Sequence, residues 1–256
     1  MANEQHPVIP QAESFFLRGN STGILLCHGF LGTPQSVKEL GEAIAAHGYT
    51  VSCPRLPGHG THSKDIGQFS CNDWFARVED AYIELRQTCS SVFVIGQSMG
   101  GTLSLDLASR HPDIQGIVLI NPAIEIPAFE TYRNQPSSAY VTEDRPDIKK
   151  EDAVEITYEQ APVKAYQQLL KYMNAVDAKL SDVCCPVVCF QSLEDHVVPP
   201  SNTDYILSKV RSENTRKYEL HNSYHIASMD HELGFITEMA IGFVEEIRSL
   251  PAGDKF

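Results

Sequence analysis

The sequence predicts an α/β fold with a mostly parallel central sheet, helices on both faces and one inserted cap. Short, continuous apolar runs recur along the chain, and such runs are typical of strands buried on both faces of a parallel sheet. Segments with helical spacing of apolar residues separate these runs, as in doubly wound α/β proteins. One stretch, residues 122–183, contains no clear buried strand and is too long for a loop in a compact domain.

Five apolar runs supply the predicted buried strands. They span residues 23–27, 50–54, 92–96, 117–121 and 186–191. A further strand is predicted within residues 216–225, followed by a turn that ends at His225. Because parallel strands all end at the same edge of a sheet, residues that follow these runs are candidates for a common site.

Helices are predicted over residues 36–47, 72–86 and 99–111, from apolar residues at helical spacing. Asp73 lies in the first turn of the second helix, where the helix dipole favours an acidic side chain. Another amphipathic helix begins at Pro162, inside the irregular stretch. We therefore predict a core formed by residues 1–122 and 181–256, with a cap or lid inserted at residues 123–180.

The acidic composition argues against some partners. The 256 residues carry a formal net charge of −13, which repels nucleic acids and anionic membrane surfaces. We expect no signal peptide at the N-terminus, and no apolar run is long enough to span a membrane. The seven cysteines are odd in number, lack a C-x-x-C pair and lie partly within apolar runs, a pattern typical of reduced thiols. These observations favour a cytoplasmic protein.

A Gly-x-Ser-x-Gly motif centred on Ser98 lies between a predicted strand and a predicted helix. Its glycines, Gly96 and Gly100, allow a sharp turn that would lift the serine hydroxyl clear of the sheet. The N–H of Met99, at the start of the helix, could stabilise an oxyanion there. An inert serine in a packed glycine turn is the alternative interpretation. The position at a strand end favours Ser98 as a nucleophile.

A second donor turn follows the first buried strand, in the segment CHGFLG at residues 27–32. An acyl-transfer site needs two N–H donors that point at the developing oxyanion. We expect the N–H of Phe30 to be the second donor and its ring to line the substrate pocket. An ordinary turn at a strand end is the alternative.

An acid and a base are needed to activate a serine hydroxyl. Asp195 follows the strand in PVVCFQSLEDHVVPP, and His225 follows the next strand, which gives the chain order serine, acid, histidine. Glu194 is the competing acid and Asp230 a competing partner for the histidine. His59 and His62, in GHGTH, are a conceivable metal pair, but no residue at metal-ligand spacing completes a set, so we expect no metal.

Five segments together resemble the α/β-hydrolases of the bacterial monoacylglycerol lipase and thermostable carboxylesterase group: HGFLGTPQS, PRLPGHGT, GQSMGG, EDHVVPP and NSYHIASMD. The resemblance places Ser98, Asp195 and His225 on the family's catalytic triad. It also places the Phe30 and Met99 amides on the oxyanion hole. It implies a compact cap after the sixth strand, an apolar acyl pocket, and a cap glutamate that senses glycerol through water, for which Glu155 is the best match.

The resemblance implies a serine carboxylic-ester hydrolase that acts on esters with an apolar acyl chain, such as monoacylglycerols, through an acyl-enzyme on Ser98. Apolar residues at the cap would then shelter the acyl chain: Ile124, Ile126, Phe129 and Ile156. We expect a small ester or lipid substrate, no cofactor, no nucleic-acid partner and no integral membrane association. A monomer and a homodimer both remain open. Alternatives are a thioesterase or other acyl hydrolase of the same fold, and an inactive binding module; dehalogenase chemistry would require an aspartate in place of Ser98.

Overall fold

A seven-stranded sheet organises the protein, which a computed structural model describes over residues 3–250. Its strands are β1 (Phe15–Leu17), β2 (Thr22–Cys27), β3 (Thr50–Cys53), β4 (Ser91–Gln97), β5 (Ile117–Ile120), β8 (Val187–Ser192) and β9 (Thr215–Leu220). They lie in the order β1-β3-β2-β4-β5-β8-β9 across the sheet. Strand β1 pairs antiparallel with β3, and every other pair in this sheet is parallel.

Seven α-helices accompany the sheet in the described residues: α1 (Lys38–Ala46), α2 (Ser63–Ile66), α3 (Cys71–Arg86), α4 (Met99–Arg110), α5 (Val163–Asp177), α6 (Ser201–Lys209) and α7 (Leu233–Ser249). Alternate side chains of each strand point to opposite faces, and so the sheet supports two apolar layers. In β2, Leu25 packs in the layer of α3 and α4, whereas Ile24 packs in the layer of α1 and α7. Helices on both faces therefore bury the five inner strands of the sheet, whereas the edge strands β1 and β9 are only partly buried.

The predicted fold class is confirmed, since all five predicted buried strands form. They read as uninterrupted apolar runs because both faces of each are covered. Asp73 lies in the first turn of α3 as predicted, and its carboxylate accepts the Ser70 N–H at 2.7 Å. Strand β1 was not predicted: its three residues are apolar but too few to show a strand pattern, and the strand is only partly buried. The predicted helix at 36–47 begins instead as a 3₁₀ turn, Pro34–Val37.

The segment predicted as a cap contains short elements and one long helix. A 3₁₀ turn spans Pro127–Tyr132, and a two-stranded antiparallel sheet pairs β6 (Tyr140–Thr142) with β7 (Gln160–Pro162). Helix α5 follows, with its apolar face buried. The division into a core of residues 1–122 and 181–256 and a cap or lid at 123–180 stays a prediction.

Within residues 3–250, no helix combines the length and the apolar character needed to cross a bilayer.

The turn after β4 depends on the lack of a side chain at Gly100. A Cβ added there would lie 2.0 Å from the Cys27 carbonyl oxygen, which is backbone and cannot rotate away. We expect Gly100→Ala to lower the free energy of unfolding by about 3 kcal/mol, because the strand and helix must separate. Urea denaturation measures this change.

Gly242, in α7, is the matched control, because a Cβ added there meets nothing within 4 Å. Gly242→Ala should raise stability by about 0.5–1 kcal/mol, the helix-propensity difference between the two residues. Equal stability changes at the two glycines would contradict the packing described for the turn.

Candidate active site

Ser98 occupies a strained turn between β4 and α4. Its backbone has φ 56° and ψ −121°, a conformation that L residues rarely adopt. Gly96 and Gly100 approach so closely that a Cβ at Gly96 would lie 2.1 Å from the Gly100 oxygen. The turn therefore places the Ser98 side chain at the carboxyl edge of the sheet, where it is 8% exposed.

His225 and Asp195 form a hydrogen-bonded chain with Ser98. The His225 Nε2 atom lies 2.9 Å from Ser98 Oγ, and its Nδ1 atom lies 2.7 Å from Asp195 Oδ2. The other carboxylate oxygen, Asp195 Oδ1, accepts the N–H groups of Val197 at 2.9 Å and Val198 at 2.8 Å. These bonds fix the carboxylate, which in turn orients the imidazole ring. The structure thus brings together three residues that are far apart in the sequence.

Asn121 holds the loop that carries His225. This residue ends β5 with a positive φ of 45°, and its side-chain amide donates to the His225 carbonyl oxygen at 2.8 Å. Its Oδ1 atom accepts the Ser192 N–H at 2.7 Å. One amide side chain therefore joins the ends of β5 and β8 to the histidine loop.

The electrostatic surroundings of His225 oppose the effect of its burial. Burial acts to lower the pKa of His225, but the carboxylates of Asp195, Asp147 and Glu155 together outweigh it and raise the pKa above its ordinary value. The imidazolium is thereby stabilised. A base in this environment is neutral only above a pH higher than usual for histidine.

The two predicted amide donors lie beside Ser98. Met99 is the first residue of α4, so its N–H has no carbonyl one turn earlier to bind. Phe30 lies in the turn after β2, and within residues 3–250 its N–H donates to no protein acceptor. In the same turn, a Cβ added at Gly29 would lie 3.4 Å from the Ser98 Cβ, so the two turns are in close contact.

A cavity of about 290 Å³ opens at Ser98 and His225. One wall is apolar and aromatic: the ring of Tyr166 lies 5.1 Å from the ring of Phe30 and 5.1 Å from that of Phe129. Of the predicted acyl-sheltering residues, Ile126 and Phe129 line this cavity, whereas Ile124 and Ile156 are not among its lining residues. A larger groove of about 860 Å³, lined mainly by α1 and α7, contains none of the residues predicted for the triad or the oxyanion hole.

Another part of the cavity lining is acidic. Burial raises the pKa of Glu143 to about 7, and its carboxylate accepts a hydrogen bond from the Tyr166 hydroxyl. The charged residues that line the cavity are Glu143, Asp144, Arg145, Asp147 and Glu155, together with His196 and His225. The lining thus contains four carboxyl groups and one guanidinium group.

Glu155 lies in the cavity close to the turn after β2. Burial raises the pKa of Glu155 to about 7, although the nearby His225 acts to lower it. A Cβ added at Gly32 would lie 2.6 Å from Glu155 Oε1. The space that Gly32 leaves empty therefore accommodates the carboxyl group.

The competing acids occupy other roles. Glu194 Oε2 lies 3.3 Å from Lys149 Nζ at the surface. Asp230 accepts the backbone N–H groups of Tyr224 at 2.9 Å and of Lys149 at 2.7 Å, so it fastens a loop rather than the imidazole ring.

Other histidines of the chain make structural contacts. Burial lowers the pKa of His28 to about 4, and the ring accepts the Leu56 N–H at 3.2 Å. His62 accepts the Lys64 N–H at the start of α2. His59 packs its ring edge-on against Trp74, with 5.5 Å between ring centroids. The strand predicted within residues 216–225 forms as β9, and His221 directly follows it.

Two residues of the site were not found from the sequence. Asn121 precedes a proline at a strand end, a turn signal that could have drawn attention to it. Asp147 gave no such signal. It lies in the irregular segment, and its partners are 49 and 78 residues away along the chain.

Comparison with known proteins gives the family. A model of the Hydrolase_4 family, described as serine aminopeptidase, S33, matches residues 20–232. The chain is 44% identical to a thermostable monoacylglycerol lipase of Bacillus sp. (strain H-257) over 243 residues, covering 94% of this chain and 97% of that protein. It is 24% identical to a carboxylesterase of Bacillus subtilis (strain 168), covering 91% of this chain and 96% of that protein.

A solved structure from work on LipS and LipT, two metagenome-derived lipolytic enzymes, superposes with a TM-score of 0.91 at 35% identity. The match covers 94% of this chain and all of that one, 100%. The chain therefore belongs to the Hydrolase_4 family of the α/β-hydrolase superfamily. It is a serine ester hydrolase, as the resemblance of its motifs predicts.

Proposed function

We propose that Ser98, Asp195 and His225 are the catalytic triad and that the Phe30 and Met99 amides form the oxyanion hole. The observation that carries the proposal is the hydrogen-bonded chain from Asp195 through His225 to Ser98 Oγ, with distances of 2.7 Å and 2.9 Å. The histidine can take the serine proton at Nε2 while its Nδ1–H remains bound to the carboxylate.

The reaction proceeds in two halves. Ser98 Oγ attacks the ester carbonyl carbon while His225 Nε2 accepts the hydroxyl proton, and the carbonyl oxygen becomes an oxyanion held by the two amides. The intermediate then expels the alcohol oxygen, which receives that proton from His225, and an acyl-enzyme remains. Water repeats the sequence: His225 takes its proton, the hydroxide adds to the acyl carbon, and Ser98 leaves reprotonated.

We propose that the substrates are carboxylic esters with an apolar acyl chain, and monoacylglycerols in particular. The aromatic wall of Phe30, Phe129 and Tyr166 suits an acyl chain, and the cavity lies near the small end of the size range of ligand pockets. Glu155, on the polar side, can bind glycerol hydroxyls through water. The identity with a monoacylglycerol lipase supports this choice.

A thioesterase of the same fold is the second candidate. The cavity disfavours coenzyme A esters, because their phosphates would meet four carboxyl groups and one guanidinium. The net charge of −13 acts in the same direction. An oxygen ester of a neutral alcohol is therefore favoured.

The remaining proposals concern surroundings and partners. We propose a cytoplasmic protein that uses no cofactor and binds neither nucleic acid nor the membrane as an integral component. All seven cysteines are unpaired, which suits a reducing compartment. The choice between monomer and homodimer stays open.

Ser98→Ala should lower kcat/KM for p-nitrophenyl butyrate by at least about 10⁴-fold, because no other hydroxyl can form the acyl-enzyme. Steady-state kinetics at saturating and limiting ester concentrations measure this loss. Ser109→Ala is the control: Ser109 lies on α4, the helix that follows Ser98, but its hydroxyl donates to the Asp106 carbonyl oxygen. A Ser98→Ala enzyme with wild-type turnover would overturn the proposed function.

Glu155→Gln should reduce the preference for a monoacylglycerol over the methyl ester of the same acid by about 3- to 10-fold, the worth of one hydrogen bond. The ratio of the two kcat/KM values at pH 8 gives the preference; there a carboxyl with a pKa of about 7 is mostly ionised. Glu151→Gln, at an exposed cap position, should leave the ratio unchanged. Equal kcat/KM for both esters in the wild type would exclude glycerol recognition.

A further inference from the structure

Asp147 joins the predicted cap to both loops that carry the polar partners of Ser98. Its Oδ2 atom accepts the N–H of His225 at 3.1 Å and the N–H of His196 at 3.0 Å. Its Oδ1 atom lies 2.8 Å from His196 Nδ1. Since His196 directly follows Asp195, one carboxylate bonds to the backbone of the base and to the residue next to the acid.

Residues 147–150, here termed the clasp, make further bonds to the same two loops. The Asp147 carbonyl oxygen accepts the Ile226 N–H at 3.0 Å. Lys149 donates its N–H to Asp230 at 2.7 Å and its ammonium group to Glu194 at 3.3 Å. The clasp is therefore hydrogen-bonded to both loops, and Asp147 makes more of these bonds than any other residue of the clasp.

The charge of Asp147 acts on the imidazole as well as on the backbone. His225 is faced by Asp195 from the loop after β8, by Glu155 from the segment before β7 and by Asp147 from the clasp. Around Asp147 itself, the charged or titratable groups are His225 and His196, with Asp144, Arg145 and Lys149 on its own segment. The Asp147 side chain is 15% exposed, so water screens its charge only partly.

We propose that Asp147 is a positioning residue, which fixes the His225 loop through a backbone hydrogen bond and stabilises the imidazolium formed during each half-reaction. The inference rests on the proposed role of His225 as the general base. The predicted cap thus has a part in catalysis besides substrate binding, because the clasp holds the base in place together with Asn121 of the core.

The direction of the expected pH effect follows from this charge. A neutral His225 is the active form, so kcat/KM falls as the pH drops through the pKa of His225. Removal of a facing negative charge destabilises the imidazolium and lowers that pKa. The acidic limb of the profile must then move to lower pH.

The test is the pH profile of kcat/KM for p-nitrophenyl butyrate with wild type, Asp147→Asn and Asp147→Glu. Asp147→Asn should shift the midpoint of the acidic limb down by about 0.5–1 pH unit and reduce the plateau kcat about 3- to 10-fold. Asp147→Glu restores the charge and should return the midpoint toward the wild-type value. Asp152→Asn is the control, because Asp152 is an exposed cap acid outside the cavity lining, and its midpoint should move by less than about 0.2 unit.

An Asp147→Asn midpoint equal to that of the wild type, or equal shifts in Asp147→Asn and Asp152→Asn, would overturn the inference. A purely structural role predicts a lower melting temperature without any shift of the midpoint, and that outcome also contradicts it. Ser98→Ala, measured in parallel, separates the two proposals. If that variant is inactive while Asp147→Asn keeps the wild-type midpoint, only the role of Asp147 fails; if Ser98→Ala is active, the proposed function fails.

Discussion

The backbone conformation of Ser98 is the constraint on which the site depends. Two backbone hydrogen bonds hold the residue at its positive φ. Its N–H donates to the Ile120 carbonyl oxygen at 2.9 Å, and its carbonyl oxygen accepts the Gly101 N–H at 2.9 Å. Such a conformation costs about 1–3 kcal/mol and persists only where the surroundings determine it fully. Here the conformation is fixed by the close contact of Gly96 with Gly100 and by the parallel pairing of β4 with β2 and β5.

The other polar groups reach Ser98 because parallel strands end at one edge of the sheet. Asn121, after β5, Asp195, after β8, and His225, after β9, meet there although their loops differ in length and sequence. Most of the hydrogen bonds that position His225 join different loops. Asn121 donates to the carbonyl oxygen of His225 and Asp147 accepts its N–H, so both the core and the predicted cap hold the imidazole in place.

The cavity combines an apolar and an acidic surface because different segments of the chain line it. Its aromatic wall comes from the turn after β2, the 3₁₀ turn Pro127–Tyr132 and α5, whereas its acidic residues come from the irregular segment between β6 and β7. Burial raises the pKa of both Glu143 and Glu155 to about 7, so the charge of the acidic surface changes within the neutral range. An apolar acyl chain and a hydroxylated alcohol can each find a matching surface.

The sequence allowed the sheet and the three hydrogen-bonded residues to be predicted, but not the contacts of the irregular segment. Ser98 and Asp195 follow strands that are buried apolar runs, whereas His225 follows β9, which is polar and only partly buried, and the order of the three residues along the chain limits the possible pairings. Strand β1 was missed because three residues are too few to show the two-residue alternation of a strand. Asp147 was missed because its importance lies in bonds to distant backbone N–H groups, which leave no trace in local sequence.

The central claim is that Ser98 is the nucleophile, and stoichiometric modification tests it most directly. The protein is titrated with a fluorophosphonate probe, the residual esterase activity is measured at each step, and the modified residue is located by peptide mass spectrometry. We predict that activity falls in proportion to the loss of unmodified Ser98 and vanishes at one probe per chain. Full modification of Ser98 with undiminished activity, or complete inactivation with the probe on another residue, would contradict the claim.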